Sequence, residues 1–302
     1  MSNNSMYFGP NNGTVFRPPS EANSFLLRLT IGCSHNACAF CAMYKDVQFA
    51  LLTDQQIDSQ IKAALKHRDR IRRIFLCDGD ALVLPTEKLL AILLRLRREF
   101  PYLQRVASYA SPHNILAKTV DELALLRESG LRLVYFGLET GNEQLLEHIN
   151  KGVTAVAAIA AVQKIRFAGI KLSVTIINGL AGNAGWREHA VDTAAAISQM
   201  QPDLLGALTM MLNRGTKYYQ AFTSGEFQPL HPAGLAAEMK LFFESLDWTE
   251  GHCIFRSNHI SNQFSLAGTI PQDISRLIAD CTAAEARLRK LTNWNPLNDV
   301  DG

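Results

Sequence analysis

Residues 24–41 read SFLLRLTIGCSHNACAFC, in which an apolar run passes directly into a loop that carries three cysteines. The run over 24–31 has the length and the apolar content of a buried strand. The cysteines, Cys33, Cys38 and Cys41, have the spacing C-x4-C-x2-C. Three thiols on one short loop indicate a metal or cluster site at the end of this strand.

The same pattern of a short apolar run and a longer amphipathic segment continues along the chain. It predicts strands over 24–31, 71–77, 105–110, 132–138, 170–177 and 204–212, and helices over 53–68, 86–99, 119–129, 142–168 (with a break near 152) and 185–199. Two of these helices begin with a capping box, Thr53 with Gln56 and Thr119 with Glu122. Alternating strands and helices favour a parallel α/β fold, either a barrel or a doubly wound sheet.

Polar residues follow most of the predicted strands at the point where each ends. Asp78-Gly79-Asp80 follows the second strand, and comparable groups at 111–114, 139–142, 178–179 and 213–216 follow the later ones. Ligands of parallel α/β proteins bind at the carboxyl ends of the strands. Six strand ends that contribute to one site favour a partial (β/α)6 TIM-like barrel, followed by a C-terminal α/β appendage.

Composition limits the classes of function. The chain has 302 residues, of which 47% are hydrophobic and 19% charged, and its net charge of +2 gives no reason to expect nucleic acid or membrane as a partner. The first 24 residues contain no apolar run, and the apolar stretch over 89–96 is too short to cross a bilayer. We therefore expect a cytoplasmic protein. Basic clusters at 66–73 and 95–98 are expected to lie at helix C-termini, where the dipole favours them.

The residues leave three kinds of site open at the cysteine loop. His35 could complete a Cys3His zinc site, and Cys77 could act as the fourth ligand of a ferredoxin-type cluster. A third possibility is an iron-sulfur cluster held by three cysteines, which leaves one iron open to a substrate or cofactor. The length of the chain and its six polar strand ends favour the third interpretation.

These features together resemble the radical S-adenosylmethionine (SAM) superfamily. The resemblance includes the aromatic Phe40 before the last cysteine, although the family's usual spacing is one residue shorter between the first two cysteines. It covers about residues 24–217, and the core is similar to oxygen-independent coproporphyrinogen oxidases and methylthiotransferases through Gly137-Leu138-Glu139-Thr140-Gly141, Leu145, Ile149-Asn150-Lys151-Gly152, Gly179-Leu180 and Gly215-Thr216. The tail is similar to that of an uncharacterised group of small radical SAM proteins, through its Arg-Ser-Asn-His segment at 256–259.

The resemblance implies a chemistry and its cofactors. A [4Fe-4S] cluster on Cys33, Cys38 and Cys41 would bind SAM at its open iron and cleave it reductively, releasing a 5′-deoxyadenosyl radical that takes hydrogen from a small substrate. An electron donor such as flavodoxin or ferredoxin is implied as a partner. An RNA-modifying member of the same superfamily is the alternative, but such an enzyme should carry an appended basic domain, which the tail lacks.

The resemblance also implies roles for individual residues. Asp80 stands where the family holds the amino group of SAM, Lys151 where it holds the methionine carboxylate, and Glu139 on the ribose side. Tyr109 and Thr175 fall where coproporphyrinogen oxidases have carboxylates that touch SAM. The remaining residues expected at the SAM site are Phe40, Asp78, Gly79 and Ser111.

The domain organisation expected from the sequence has three parts. Residues 1–23 are an N-terminal extension, 24–217 the core barrel, and 218–302 an appendage with a helix over 232–246 and a strand over 253–256. We expect the polar segment 256–262 to fold over the mouth of the barrel, because a radical must be shielded from water. Arg256, Asn258 and His259 would then contact the substrate.

Overall fold

The computed structural model describes residues 6–9 and 14–297, which form two compact units. The first unit contains the described residues up to Asn36, together with Met43–Phe136 and Ala160–Leu172. The second contains Ala37–Ala42, Gly137–Ile159 and the chain from Ser173 onward. Cys33 therefore belongs to the first unit, and Cys38 and Cys41 belong to the second.

Strands and helices alternate along most of the described chain. Its strands are β1 (Met6–Tyr7), β2 (Phe25–Arg28), β3 (Thr30–Ile31), β4 (Ala50–Leu51), β5 (Arg73–Cys77), β6 (Arg105–Tyr109), β7 (Leu131–Glu139), β8 (Lys171–Asn178), β9 (Leu204–Thr209), β10 (Cys253–Arg256) and β11 (Ala267–Ile270). Its α-helices are α1 (Asp54–Ala64), α2 (Thr86–Glu99), α3 (Pro112–Leu116), α4 (Val120–Glu128), α5 (Glu143–His148), α6 (Ala155–Phe167), α7 (Gly182–Met200), α8 (Lys217–Thr223), α9 (Pro232–Glu244) and α10 (Ile274–Leu288). Among the described residues, nine of the strands belong to one mostly parallel sheet.

In the first unit, β1, β2, β5, β6 and β7 are neighbours in that order and all pair in parallel. Every residue of β2 is buried, as are four of the five in β5. Their continuous apolar runs fit strands that are covered on both faces. A separate antiparallel pair, β3 with β4, joins Thr30 to Leu51 and so closes the base of the cysteine loop.

In the second unit, β8, β9 and β10 pair in parallel, and β11 adds an antiparallel edge. The tail therefore extends the sheet, since Ile254 of β10 pairs with Leu204 of β9. Helix α10 packs closely against α9 through a small cluster that includes Ala236 and Ala284. The expected helix over 232–246 and strand over 253–256 are both present.

The predicted parallel α/β fold is confirmed. Five of the six predicted strands are each present as one strand, and the first, over 24–31, is divided into β2 and β3, which belong to different sheets. Both capping boxes form, with Thr53 and Thr119 each exchanging hydrogen bonds with the third helical residue. Gly130 and Gly169 end their helices with positive φ angles of 124° and 72°. No described helix is long and apolar enough to cross a membrane. The division of the chain at residue 217 stays a prediction.

Candidate functional site

The cysteine loop begins at Gly32, directly after β3, and its first cysteine packs against the turn that follows β5. A Cβ atom at Gly79 would lie 3.0 Å from both Cα and Cβ of Cys33. Real Cβ atoms rarely approach so closely, so only glycine lets this turn reach the cysteine. Because Gly79 has no side chain, the turn can lie against Cys33, and Asp78 and Asp80 on either side of it then lie next to the loop.

Asp78 holds the start of the loop through a buried ion pair. Its Oδ2 atom lies 2.5 Å from Arg28 Nη2 and 2.8 Å from Arg28 Nε, and it accepts a third hydrogen bond from the Gly32 backbone amide at 3.3 Å. The side chains of Arg28 and Asp78 are 1% and 0% exposed. Asp78 Oδ2 is thus bonded to the protein itself, whereas its Oδ1 atom has no hydrogen-bond partner among the described residues. The predicted contact of Asp78 with SAM stays a prediction.

Asp80 is buried with one carboxylate oxygen still free of partners. Its Oδ2 atom accepts a hydrogen bond from Asn114 Nδ2 at 2.5 Å, and Ser34 Oγ of the cysteine loop lies 3.5 Å away. Its Oδ1 atom has no hydrogen-bond partner among the described residues. Burial raises the pKa of the Asp80 carboxyl, while hydrogen bonds from its neighbours oppose the shift. A buried carboxylate oxygen of this kind is suited to a positively charged ligand group.

Asn36 lies between the first two cysteines of the loop. This residue adopts a left-handed backbone conformation with φ of 41°, which asparagine tolerates better than most residues. Its side-chain amide donates to the backbone oxygen of Tyr44 at 2.7 Å. Asn36 therefore fixes the backbone of this part of the loop.

The second half of the loop is fixed by the core of the second unit. The Ala39 amide donates to the Ile149 carbonyl at 2.8 Å, and Asn150 Nδ2 donates to the Ala37 carbonyl at 3.2 Å. Ala39 is buried in a hydrophobic cluster against which Phe40 packs. Phe40 thus anchors the loop between its last two cysteines.

Glu139 and Lys151 form an ion pair in the second unit, at 2.8 Å between Oε1 and Nζ. Glu139 has a φ of 67°, and a Cβ atom at Gly137 would collide with its carboxylate. The left-handed backbone at Glu139 and the missing side chain at Gly137 therefore both allow the Glu139 carboxylate to occupy this position. Burial lowers the pKa of Lys151, but Glu139 and the negative charge of Cys38 and Cys41 as thiolates outweigh burial and raise it overall. Lys151 is therefore a charged ammonium group beside two cysteines.

Three other predicted residues have structural partners. The ring of Tyr109 makes edge contacts with Phe75 and Tyr135, and burial raises the pKa of its hydroxyl. Ser111 caps α3 by accepting the Asn114 amide at 3.2 Å. Thr175 lies on β8 next to Gly206 of β9. Whether these side chains contact SAM stays a prediction.

The tail segment 256–262 attaches to the carboxyl end of β9. Asn262 Nδ2 donates to the Ala207 carbonyl at 2.8 Å, and Ser261 Oγ accepts the Thr209 amide at 3.0 Å. His259 Nδ1 accepts hydrogen bonds from the hydroxyl and the amide of Ser261. Burial lowers the pKa of this imidazole, which favours its neutral form.

The segment does not bring together the three residues that were expected to contact substrate. Arg256 donates from its guanidinium to the carbonyls of Phe255 and Gly268, Asn258 is exposed, and His259 bonds to Ser261. The bonds of Asn262 and Ser261 to β9 are the ones that hold the segment. Substrate contact by Arg256, Asn258 or His259 stays a prediction.

The six cysteines fall into two groups. Cys33, Cys38 and Cys41 are partly exposed, whereas Cys77, Cys253 and Cys281 are buried. Burial raises the pKa of Cys253 and of Cys281 to about 12, and that of Cys77 well above its ordinary value. A neutral buried thiol is a poor metal ligand, which argues against Cys77 as the fourth ligand of a ferredoxin-type cluster.

The described residues contain no group of three or more His, Cys, Asp or Glu side chains placed to hold one metal ion. The zinc alternative, in which His35 joins the three cysteines, stays an alternative. The thiolates of an iron-sulfur cluster bind separate irons and need not converge on one point.

Sequence reasoning missed two polar residues that support the site. Arg28 is a charged residue inside the apolar run of β2, and that position was the signal for a buried ion pair. Asn114 lies in the polar group after the third predicted strand, but nothing in the sequence indicated that it donates to Asp80. Both depend on contacts with distant parts of the chain.

The model of the Radical SAM superfamily matches residues 27–194, which is more than half of the chain and includes the cysteine loop, Asp80 and Lys151. The chain belongs to the radical SAM superfamily. Its members use a [4Fe-4S] cluster and SAM, which are therefore the cofactors of this chain.

Two curated proteins are similar to this radical SAM chain. It is 23% identical over 210 residues to the uncharacterized protein MJ0486 of Methanocaldococcus jannaschii, covering 66% of this chain and 64% of that protein. It is 25% identical over 158 residues to the heme chaperone HemW of Lactococcus lactis, covering 50% of this chain and 40% of HemW. The chain thus matches less than two thirds of the length of either relative.

Solved structures show the same fold. Methylornithine synthase (PylB) is 16% identical with a TM-score of 0.53, over 85% of this chain and 68% of that one. The radical SAM methyltransferase TsrM from Kitasatospora setae is 16% identical with a TM-score of 0.54, over 86% of this chain and 51% of that one. At these identities the likeness establishes the fold alone, which is the TIM-barrel-like fold of radical SAM enzymes.

The residues of the radical SAM chain fit these cofactors. The loop offers three partly exposed thiols, the donor type that iron-sulfur clusters require. The free Oδ1 atom of buried Asp80 suits the ammonium group of SAM, and the Lys151 ammonium suits its carboxylate.

Proposed function

We propose that this chain is a radical SAM enzyme that acts on a small organic substrate and that Cys33, Cys38 and Cys41 hold its cluster. When bound, the reduced cluster and SAM supply a 5′-deoxyadenosyl radical, which takes a hydrogen atom from the substrate. The observation that carries the proposal is the exposure of the thiols, because the three loop cysteines are partly exposed and the other three are buried. Whether the overall reaction is an oxidation or a group transfer depends on the substrate.

Asp80 is proposed to bind the amino group of SAM. Its Oδ1 atom is free and buried, while Asn114 occupies Oδ2 and so fixes the orientation of the carboxylate. A charge-assisted hydrogen bond in this setting contributes about 1.5 to 3 kcal/mol. Asn114 is thus proposed as a positioning residue that acts through Asp80.

Lys151 and Glu139 are proposed to bind the carboxylate and ribose side of SAM. Their ion pair keeps the Lys151 ammonium extended and charged before SAM arrives. A carboxylate ligand can share this ammonium with Glu139, because a lysine has three hydrogen-bond donors.

A small substrate is favoured over RNA because several residues of the basic clusters already have partners within the protein. Arg95 is paired with Asp58 at 2.6 Å, Arg97 donates to the Glu128 carbonyl at 2.8 Å, and Arg72 stacks on a tyrosine ring. Phosphate binding requires several free cations on one face. We also propose that a flavodoxin or ferredoxin supplies the electron.

The experiment that tests this function is anaerobic purification followed by iron analysis and an assay for 5′-deoxyadenosine. The wild type should carry about four irons per chain and form 5′-deoxyadenosine from SAM with dithionite. Alanine substitution of Cys33, Cys38 or Cys41 should remove both iron and product, while Cys253→Ala and Cys281→Ala serve as matched controls that keep them. Stoichiometric zinc without iron would overturn the proposal.

A further inference from the structure

A pocket in the second unit lies at the carboxyl ends of two neighbouring parallel strands. Gly179, directly after β8, and Met210, directly after β9, contribute to it, and the backbone joins them through a hydrogen bond from the Met210 amide to the Asn178 carbonyl at 2.9 Å. Trp294 forms part of another wall. The carboxyl ends of parallel strands are where α/β enzymes bind their substrates.

The lining of this pocket carries no charge. Among the described residues, none of the side chains that line it is ionisable, and Met210, Met211, Leu230 and Leu235 make it mainly apolar. Thioether side chains adapt to irregular shapes, so Met210 and Met211 suit a flat apolar group.

The carboxylate of Glu238, which lies behind the pocket wall, already has partners at both oxygens. Buried Glu238 accepts the Gly179 amide at 2.6 Å with one oxygen and lies 2.5 Å from His189 Nδ1 with the other. Both of its oxygens therefore have hydrogen-bond partners within the protein, and Glu238 is not among the lining side chains. A cationic ligand would find no counter-charge here.

The hydroxyl groups of the lining are also engaged. Thr209 Oγ1 donates to Asn262 Oδ1 at 2.8 Å, and Ser261 Oγ both accepts the Thr209 amide and bonds to His259. Neither hydroxyl has a proton left to donate to a ligand. These two hydroxyls shape the pocket without donating hydrogen bonds into it, and the amide of Gln263 is a further polar group of the lining.

The indole of Trp294 supplies a donor. Its Nε1 atom is buried and has no acceptor among the described residues. The segment that carries it is held in place, because His231 Nε2 lies 2.9 Å from the Leu291 carbonyl and the His231 ring contacts the Trp294 ring at 5.6 Å. A buried N–H without a partner is costly, and an acceptor on a ligand would satisfy it.

We infer that this pocket binds an uncharged, mainly apolar part of a small molecule that carries one hydrogen-bond acceptor, with Trp294 Nε1 as the donor. The inference names the class of substrate for the proposed radical reaction and rests on that function. It places the apolar residues after β8 and β9 in the role of specificity determinants. Substrate contact by Arg256, Asn258 or His259 is a separate prediction.

The test of charge uses two dyes that share one skeleton, N-phenyl-1-naphthylamine and its 8-sulfonate, titrated into the anaerobically purified full-length protein. The neutral dye should bind saturably and at least tenfold more tightly than the sulfonate. Met211→Glu should weaken binding of the neutral dye at least tenfold, while Met211→Gln, which is uncharged and has the same shape as Glu, should change it less than threefold. Equal binding of the two dyes, or equal effects of the two variants, would overturn the inference.

The test of the donor uses Prodan, a neutral naphthalene dye with one carbonyl group. Trp294→Phe keeps an aromatic ring but removes the N–H, so it should weaken Prodan binding about three- to tenfold and leave the neutral amine dye within twofold. Trp248→Phe, at an indole outside the pocket, is the control. If Trp294→Phe leaves Prodan binding unchanged, the proposed hydrogen bond from Trp294 Nε1 is wrong.

The two levels of the proposal can fail separately. Dye binding reports on the pocket, whereas iron content and 5′-deoxyadenosine formation by the wild type without substrate report on the cluster and SAM. Normal SAM cleavage with no selective dye binding would reject the pocket alone. Selective dye binding by a protein that never forms 5′-deoxyadenosine would reject the radical function and leave a neutral-ligand pocket.

Discussion

Lys151 Nζ lies 2.8 Å from Glu139 Oε1, and the two side chains are 14% and 13% exposed. The pair joins the end of β7 to the turn after α5, and its ammonium lies near the thiols of Cys38 and Cys41. Glu139 helps to keep the Lys151 ammonium charged in a poorly solvated place. The pair therefore prepares a cation beside the cysteine loop.

Removing one partner of this pair should cost more than removing both. Lys151→Met should lower the free energy of unfolding by about 3 kcal/mol, because it leaves the Glu139 carboxylate buried without a counter-charge. The double variant Lys151→Met with Glu139→Gln should recover at least half of that loss. Urea unfolding of the cluster-free proteins measures both, and additive effects would show that the two residues do not interact.

The Arg28–Asp78 pair should be a larger contributor to stability than any exposed pair. Arg28→Met should lower the free energy of unfolding by about 3 to 5 kcal/mol, because Asp78 would stay buried with only the Gly32 amide as a donor. Lys62→Met is the control, since the Lys62–Asp58 pair is largely exposed and such pairs contribute about 0 to 1 kcal/mol. Similar losses in the two variants would contradict this role.

Asp80→Asn should stabilise the SAM-free protein at neutral pH. Burial raises the pKa of Asp80 in the folded state, so the wild type favours the protonated carboxyl and loses stability as the pH rises through that raised pKa. The wild type and the variant should therefore converge below the ordinary aspartate pKa of 3.8 and separate above it, with the variant the more stable of the two at pH 7. Thermal melting across this range is the measurement, and a variant less stable at pH 7 would refute the argument.

The two groups of cysteines should differ in reactivity once the cluster is removed. After chelation of iron, iodoacetamide should modify Cys33, Cys38 and Cys41 in the native state. Cys77, Cys253 and Cys281 should react only after denaturation, because burial raises the pKa of each thiol. Mass spectrometry of the digested protein gives the extent at each site. Native labelling of Cys77 would weaken the argument that it cannot act as a ligand.

Local patterns predicted much of the fold. The apolar runs that became β2, β5 and β6 are continuous because those strands are buried, and the capping boxes at Thr53 and Thr119 involve neighbours three residues apart. Strands β1 and β11 were not predicted. β1 has only two residues, too few to show an alternation of apolar and polar side chains, and β11 depends on its pairing with β10 in the tail. Helix α10 was missed although its apolar positions recur at helical spacing.

The chemistry of the site could be predicted from the sequence where residue types and their spacing are specific, as in the cysteine loop. The partners of Asp78, Asp80 and Glu139 were not, because each interaction depends on how the chain folds in three dimensions. Arg28 and Asp78 are 50 residues apart, and Asn114 and Asp80 are 34 apart. The neutral pocket was also hidden, since Trp294 joins it from the far end of the chain.

The central claim is that the cysteine loop holds a cluster with one iron open to SAM. Electron paramagnetic resonance of the reduced, anaerobically purified protein, recorded with and without SAM, tests it most directly. The account predicts a spectrum that changes when SAM is added. The Asp80→Ala variant should need about 10- to 100-fold more SAM for the same change, because it loses one hydrogen bond to a charged group. A well-formed reduced cluster whose spectrum stays the same at saturating SAM would contradict the claim.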